Sequence, residues 1–150
     1  MSLTRPEFRY LKLQAEERHE LLEGLRRRLE GVGEILFAYV HGSFIERNLV
    51  RDLDLAVWIK DPSQAFHYAV DFSAGLEVEM GVPVDIQVLN EAPLPFRYNV
   101  FTSGSLLFSK DEALRVRLVD EAVRQYLDLK RLTEIASRTV QNPVCKSKND

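Results

Sequence analysis

Several features that would assign this sequence to a class of protein are scarce or absent. Its 150 residues include a single cysteine, Cys145, so no disulfide can form within the chain, and a reducing compartment is the simplest expectation. No apolar run approaches the roughly 18 residues that a membrane-spanning helix needs, and residues 1–12 lack the apolar core of a signal peptide. We therefore expect a cytoplasmic protein with no membrane contact.

An excess of positive charge is also missing. The chain has 20 Lys and Arg against 23 Asp and Glu, a formal net charge of −3. Direct nucleic-acid binders normally show a basic balance, so this composition argues against direct nucleic-acid binding. Internal repeats are absent too. The length and the hydrophobic share of 45% suit one globular core, and we expect a single domain over residues 1–140 with a polar tail over 141–150.

The spacing of apolar residues predicts alternating helices and strands. The predicted helices cover residues 7–31, 63–80, 92–103 and 111–138. The predicted strands cover residues 34–40, 52–59, 82–89 and 106–108. Ser63 is the expected N-cap of the second helix, and Gly81 and Gly104 are expected stops. The short link between the first two strands favours antiparallel pairing, so the fold class is α/β or α+β with a mixed sheet of about four strands flanked by helices.

Three aspartates lie within the predicted strands. Asp52 and Asp54 share one face at the start of the second strand because strand side chains alternate, and Asp85 lies inside the apolar run of the third. A carboxylate in such a run is costly unless it has a partner. If the two strands are neighbours, the three carboxylates converge and suit a divalent cation, with Mg²⁺ preferred. Two ions about 4 Å apart would fit phosphoryl or nucleotidyl transfer.

A Gly-Ser pair, Gly42-Ser43, follows the first strand. Glycine lets the backbone approach a ligand closely, and backbone N–H groups at a turn favour an anion. The Ser43 hydroxyl adds one more donor. A phosphate held at this turn would lie near a metal bound by Asp52 and Asp54, so the pair predicts nucleotide binding beside the acidic site.

Together, Gly42-Ser43, Asp52-Leu53-Asp54 and Val84-Asp85-Ile86 resemble the nucleotidyltransferase superfamily built on the DNA polymerase β palm. The sequence is most similar to the minimal nucleotidyltransferases within it. The resemblance implies that Gly42 and Ser43 bind the nucleotide, and that Asp52, Asp54 and Asp85 are catalytic and hold two Mg²⁺ ions. Eight residues separate the Gly-Ser pair from Asp52, fewer than is common in the family.

The resemblance also implies a function. Minimal nucleotidyltransferases are often antitoxins of HEPN-domain toxins, and some transfer AMP from ATP to a toxin tyrosine. We therefore expect a Mg²⁺-dependent protein adenylyltransferase with a HEPN-domain toxin as its partner. Two alternatives stay open: a non-catalytic antitoxin that neutralises the toxin by binding, and nucleotidyl transfer to a small molecule.

Other polar residues near these motifs have two possible roles. His41 either contacts a phosphate or has a backbone partner at the strand end. Arg47, Arg51 and Arg97 either reach the nucleotide or are solvated charges. The aromatic residues Phe96, Tyr98 and Phe101 are expected in the core, and the arginines at 26–28 are expected on a solvated helix face.

Overall fold

The computed structural model describes residues 11–12, 15–42, 49–50 and 52–141. Four strands form one mixed sheet in the order β5-β4-β2-β6, and two short strands, β1 and β3, pair separately and antiparallel. Strand β4 runs antiparallel to β2 and parallel to β5, and β2 is antiparallel to β6. The strands are β1 (Leu11–Lys12), β2 (Ile35–His41), β3 (Leu49–Val50), β4 (Leu53–Ile59), β5 (Val84–Val88) and β6 (Ser105–Ser109).

Helices separate most of the strands along the chain. Helix α1 spans Ala15–Glu30, α3 spans Leu94–Ser103 and α4 spans Glu112–Gln141. The helix before β5 is irregular. It opens with the 3-10 turn Pro62–Gln64 and continues as α2, which we define as residues 65–80; a π-helical turn, Tyr68–Phe72, interrupts α2. A second 3-10 turn, Leu89–Glu91, follows β5.

Side chains from both faces of the sheet are buried, so the helices form a layer on each side. Leu53, Leu55 and Val57 of β4 pack on one face with residues of α1 and α2. Ala56 of the same strand packs on the other face with residues of α3 and α4. This alternation is the one that the sequence predicts for β4, because successive strand side chains point to opposite faces. Strand β2 also supplies both cores, with Ala38 and Val40 on one face and Phe37 and Tyr39 on the other.

The predicted fold class, the four main strands and the antiparallel pairing of β2 with β4 are confirmed. Two local predictions are wrong. The first helix does not extend back over Leu11, because Leu11–Lys12 is a strand paired with β3. Ser63 is not the N-cap of α2 but lies inside the preceding 3-10 turn, which Asp61 caps: an Asp61 carboxylate oxygen accepts bonds from both the Ser63 backbone N–H and the Ser63 hydroxyl.

The predicted helix stops agree with the structure. Gly81 ends α2 with a φ of 75°, and its N–H donates to the Glu77 carbonyl. Gly104 ends α3. The predicted polar tail lies outside the described residues from position 142 onward, whereas Gln141 belongs to α4. Among the described helices, none is long and apolar enough to cross a membrane.

Candidate functional site

Three neighbouring strands bring His41, Asp54 and Asp85 into one row. In the register of the sheet, His41 of β2 is opposite Asp54 of β4, and Asp54 is beside Asp85 of β5. All three side chains lie on the face opposite Leu53, Val84 and Ile86, which are in the α1–α2 core. Asp52 precedes β4 by one residue. The row therefore brings together the acidic residues that the sequence analysis singled out.

The carboxylates are placed by local alternation. Strand β5 has buried Val84, Ile86 and Val88 and exposed Asp85 and Gln87. The apolar residues fix the strand to the core, so the intervening polar residues must face outward. Asp54 is more enclosed than Asp85 because β4 is a central strand and β5 is an edge strand.

Asp54 is the electrostatic centre of the site. Burial, together with the smaller effects of the neighbouring carboxylates of Asp85 and Asp52, raises its pKa from 3.8 to about 6. Like charges that approach one another without a compensating cation disfavour ionisation. Within the described residues, no Lys or Arg forms a salt bridge with any of the three carboxylates. The site therefore attracts positive charge.

Gly42 lies against this carboxylate. Its φ is 78°, a left-handed conformation, and a Cβ atom added there would lie 2.4 Å from Oδ2 of Asp54. Only glycine fits this combination, since L side chains avoid positive φ. The backbone can thus turn directly over the acidic row. Ser43, the second residue of the predicted nucleotide-binding pair, lies outside the described residues.

His41 closes the other end of the row. Its ring packs edge-on against Phe96 with the ring centroids 5.4 Å apart. Its buried Nε2 atom has no hydrogen-bond partner among the described residues. Burial lowers the pKa of His41, and the carboxylate of Asp85 opposes that shift. The prediction that His41 has a backbone partner at the strand end gains no support from the described residues at Nε2, and burial favours the neutral imidazole.

Gln87 is a site residue that the sequence analysis did not single out. Its Nε2 donates a hydrogen bond to Oδ2 of Asp85 over 3.2 Å. The alternation of β5 could have found it, because residues 85 and 87 share one exposed face of the strand. Gln87 therefore orients the carboxylate at the free edge of the sheet.

The donor set suits a divalent cation in its chemistry. Carboxylate oxygens are the ligands that Mg²⁺ prefers, and the raised pKa of Asp54 reflects its burial first and then the charges of Asp85 and Asp52. As the side chains stand, however, no three His, Cys, Asp or Glu residues in the described part of the chain are arranged to hold a metal ion. Metal binding by Asp52, Asp54 and Asp85 remains a prediction.

The remaining predicted residues are placed as follows. Arg47 and Arg51 lie outside the described residues. Arg97 of α3 is half-buried and forms no ion pair within the described part of the chain.

The arginines of α1 and the aromatic residues of α3 have structural partners. Arg26 pairs with Glu23 and Glu30, and Arg28 pairs with Glu79. Phe96 and Phe101 pack against the α3–α4 core, and Tyr98 stacks on Tyr126, as expected.

A mixed sheet with a glycine turn and carboxylates on adjacent strands defines a nucleotidyl-transfer type of site. Residues 23–113 match the family described as "Polymerase beta, Nucleotidyltransferase". The chain therefore belongs to the polymerase β nucleotidyltransferase family. The match includes Gly42, Asp52, Asp54 and Asp85.

Solved structures with a similar fold include toxin–antitoxin complexes. A tri-AMPylated Shewanella oneidensis HEPN toxin in complex with MNT antitoxin gives a TM-score of 0.61 at 16% identity, covering 83% of this chain and 98% of that chain. A toxin–antitoxin structure with AMP-PNP gives 0.58 at 18% identity, covering 85% and 99%. The toxin–antitoxin MntA–HepT gives 0.57 at 17% identity, covering 85% and 99%. Among curated protein sequences, none matches this chain. At such identities the structural similarity shows a common fold.

Proposed function

We propose that this chain transfers AMP from ATP to a hydroxyl group, and that the acceptor is a tyrosine of a HEPN-domain toxin. The observation that carries the proposal is that Asp54 and Asp85 lie side by side on neighbouring strands while the turn at Gly42 lies against Asp54. Family membership supports the nucleotidyl chemistry. The similar fold of an antitoxin in complex with a tri-AMPylated HEPN toxin supports the acceptor.

The order of the row suggests how the substrates are arranged. The turn at Gly42 exposes backbone where a phosphate could approach, and it lies on the β2 side of Asp54. Asp85 lies on the opposite side, on the exposed edge strand. A triphosphate over Gly42 and Ser43 would place its α-phosphorus above the carboxylates. The acceptor hydroxyl would then enter from the β5 side.

The transfer requires one proton movement and one displacement. The acceptor hydroxyl gives its proton to the carboxylate of Asp85, which acts as the general base and lies on the exposed face of β5 where the acceptor would enter. The acceptor oxygen forms a bond to the α-phosphorus while the bond to the bridging oxygen of the β-phosphate breaks. Pyrophosphate leaves. Gln87, through its hydrogen bond to Asp85, keeps the carboxylate oriented towards the entering hydroxyl.

Asp52, Asp54 and Asp85 would hold Mg²⁺, with two ions expected. Bound Mg²⁺ supplies charge neutralisation for the triphosphate and for the departing pyrophosphate. The protein contributes the positions of the three carboxylates and of the Gly42 turn. This arrangement acts through orientation and electrostatic stabilisation.

The exposed second half of helix α4 is evidence that the chain binds a protein partner. All of its described residues from 127 to 140 are exposed, and this half carries large apolar side chains that include Leu129, Leu132 and Ile135. The spacing of three residues keeps these side chains on one side of the helix. An exposed apolar stripe of this kind is typical of an interaction surface. We infer that the HEPN-domain toxin covers it.

The proposal is tested by incubating the chain with α-labelled or γ-labelled ATP, Mg²⁺ and the HEPN-domain protein encoded by the neighbouring gene. We expect α label, and no γ label, on a tyrosine of the partner. Asp85→Asn should reduce the labelling rate by at least about 100-fold, since a general base contributes at least that much. Asp120→Asn, at an exposed position of α4, is the matched control and should label normally.

Two results would contradict the proposal. Tight binding and neutralisation of the partner without any label, equally by wild type and by the Asp52→Asn, Asp54→Asn double variant, would identify a non-catalytic antitoxin. Label that appears only on a small molecule would identify a different acceptor class.

A further inference from the structure

A cleft of about 400 Å³ opens beside Asp85 on the side away from Gly42. It runs along the free edge of β5 and lies between the start of α2 and the segment that follows β5. Phe66 and Ala69 of α2 form one wall, and Ala92 and Pro93 form the other. Phe66 is 74% exposed. Its ring is therefore available to a bound partner.

The backbone of β5 faces this cleft. Val84 uses both of its outward groups within the fold: its N–H donates to a carboxylate oxygen of Glu77, and its carbonyl accepts from the Ser73 hydroxyl. Backbone groups of a strand alternate between its two edges, so the N–H and C=O of Ile86 point to the same edge as those of Val84. Within the described part of the chain, no strand pairs with this edge. Ser73 and Glu77 of α2 already cover the edge at Val84, so an extended segment could add to it from Ile86 onward.

The negative charge of the cleft indicates which kind of ligand can bind there. Two carboxylates, Asp85 and Glu91, line it, and no Lys or Arg does. A triphosphate would be repelled here, whereas a neutral or basic peptide would not. The apolar and aromatic lining suits a ring, and Asp85 is at the end where a ring hydroxyl would arrive. The lining thus matches a tyrosine with neutral or basic neighbours.

The wall on the α2 side is conformationally unusual. Ala69 lies in the π-helical turn Tyr68–Phe72, and π-helical turns inside α-helices occur frequently at functional sites. The turn changes the direction in which residue 69 faces relative to a regular helix. The cleft therefore lies between the irregular part of α2 and the unpaired edge of β5, and two carboxylates line it.

We propose that the acceptor protein binds as an extended segment along the free edge of β5, with its tyrosine in this cleft and its hydroxyl at Asp85. The inference rests on the proposed AMP transfer to a protein. It adds that backbone pairing with Ile86 holds the acceptor, and that Phe66, Ala69 and Glu91 determine which acceptor is used. ATP and acceptor then approach Asp54 from opposite sides of the row.

Two pairs of matched variants test the cleft. Ala69→Arg fills it, and Ala74→Arg changes an exposed alanine of the same helix that does not line it. Phe66→Ala removes one wall, and Val78→Ala removes an exposed apolar side chain elsewhere on α2. We expect the KM for the partner to rise about tenfold or more in the two cleft variants while the KM for ATP stays within about twofold. The two controls should match wild type.

Amide hydrogen exchange tests the strand edge without relying on catalysis. In a saturated complex with the HEPN-domain protein, the exchange of the Ile86 N–H should slow by about tenfold or more, because it gains a hydrogen bond. The Gln87 N–H, which points towards β4, should change little.

The outcomes separate the two proposals. If wild type labels the partner and the cleft variants label it with unchanged KM, the cleft is not the acceptor site and this inference is wrong. If wild type labels nothing, the proposed transfer fails, and the exchange of the Ile86 N–H alone decides whether the partner occupies the edge. Protection of Ile86 by ATP without partner would assign the edge to the nucleotide and overturn the inference.

Discussion

A Cβ atom at position 42 would lie 2.4 Å from Oδ2 of Asp54, and the backbone at Gly42 has a φ of 78°. The turn and the carboxylate therefore occupy adjoining space with no room for a side chain. The close approach explains why the residue before the predicted phosphate-binding serine is a glycine. It also links the shape of the turn to the position of the acidic row.

The Gly42→Ala variant should lose AMP transfer. An alanine at this position is strained by about 1–2 kcal/mol, and its methyl group must also displace the Asp54 carboxylate. We expect a loss of at least about 100-fold in transfer rate, measured with α-labelled ATP. Unfolding in urea should show a stability loss of roughly 1–3 kcal/mol.

The Gly81→Ala variant separates the effect of backbone strain from the effect of displacing the Asp54 carboxylate. Gly81 has a φ of 75°, but a Cβ atom there would meet no atom within 4 Å. This variant should lose about 1–2 kcal/mol of stability and keep full activity. An equal loss of activity in both variants would attribute the effect of Gly42→Ala to global destabilisation and not to contact with Asp54.

Stability without metal should fall as the pH rises through the titration of Asp54. Its ordinary pKa is near 3.8 and its folded value is about 6, so the folded chain binds the proton more tightly than the unfolded chain. Stability contributed by this group is therefore present below about pH 4 and is lost between about pH 4 and pH 6. Because the side chain is partly exposed, we expect a loss on the order of 1 kcal/mol after solvent screening.

Urea unfolding of wild type and Asp54→Asn, followed from pH 4 to pH 8 in EDTA, checks this expectation. Asp54→Asn should lack this part of the pH dependence and should be the more stable protein at pH 8. Mg²⁺ should stabilise wild type at pH 8 and have little effect on the variant. If stability depends on pH in the same way in the two proteins, the titration of Asp54 is not the cause of the pH dependence.

The acidic row could be predicted largely from the sequence. Alternation placed Asp52 and Asp54 on one face, and the apolar run around Asp85 marked a second strand whose parallel pairing with β4 is now observed. The effect of this arrangement on the pKa of Asp54 could not be predicted in the same way. The raised pKa of Asp54 depends on its burial in a central strand, and strand order is a long-range property that local periodicity does not contain.

Local patterns also failed where tertiary contacts decide the structure. Leu11 continues the helical spacing of α1, yet it is in a strand because it pairs with Val50, a residue far along the chain. The π-helical turn in α2 has no sequence signal that periodicity detects. The cleft beside Asp85 was missed for a related reason: its lining comes from three separate segments, which only the folded chain brings together.

Asn90 should be important for the stability of β4. Its side chain completes the sheet where β5 ends: Oδ1 accepts from the Ile59 N–H over 3.0 Å, and Nδ2 donates to the Ile59 carbonyl over 2.9 Å. Asn90→Ala leaves two backbone groups of a buried residue without partners. We expect a loss of about 1–3 kcal/mol in urea unfolding. Asn99→Ala, at an exposed position of α3, should change stability by less than about 0.5 kcal/mol, and an equal loss in both would contradict the role of Asn90.

The exposed half of α4 should be dispensable for the fold and required for the partner. Leu132 is 64% exposed and lies between Leu129 and Ile135 on one side of the helix. Leu132→Asp places a charge in this stripe without removing a buried contact. The melting temperature should therefore stay close to that of wild type, while the affinity for the HEPN-domain protein, measured by calorimetry, should fall by at least about tenfold because the aspartate would be desolvated in the complex.

Ser137→Asp provides the matched control, since it introduces the same charge at an exposed position on a different side of α4. It should bind the partner with nearly unchanged affinity. Equal affinity of wild type and Leu132→Asp would place the partner elsewhere on the chain. The free edge of β5 would then have to supply most of the contact.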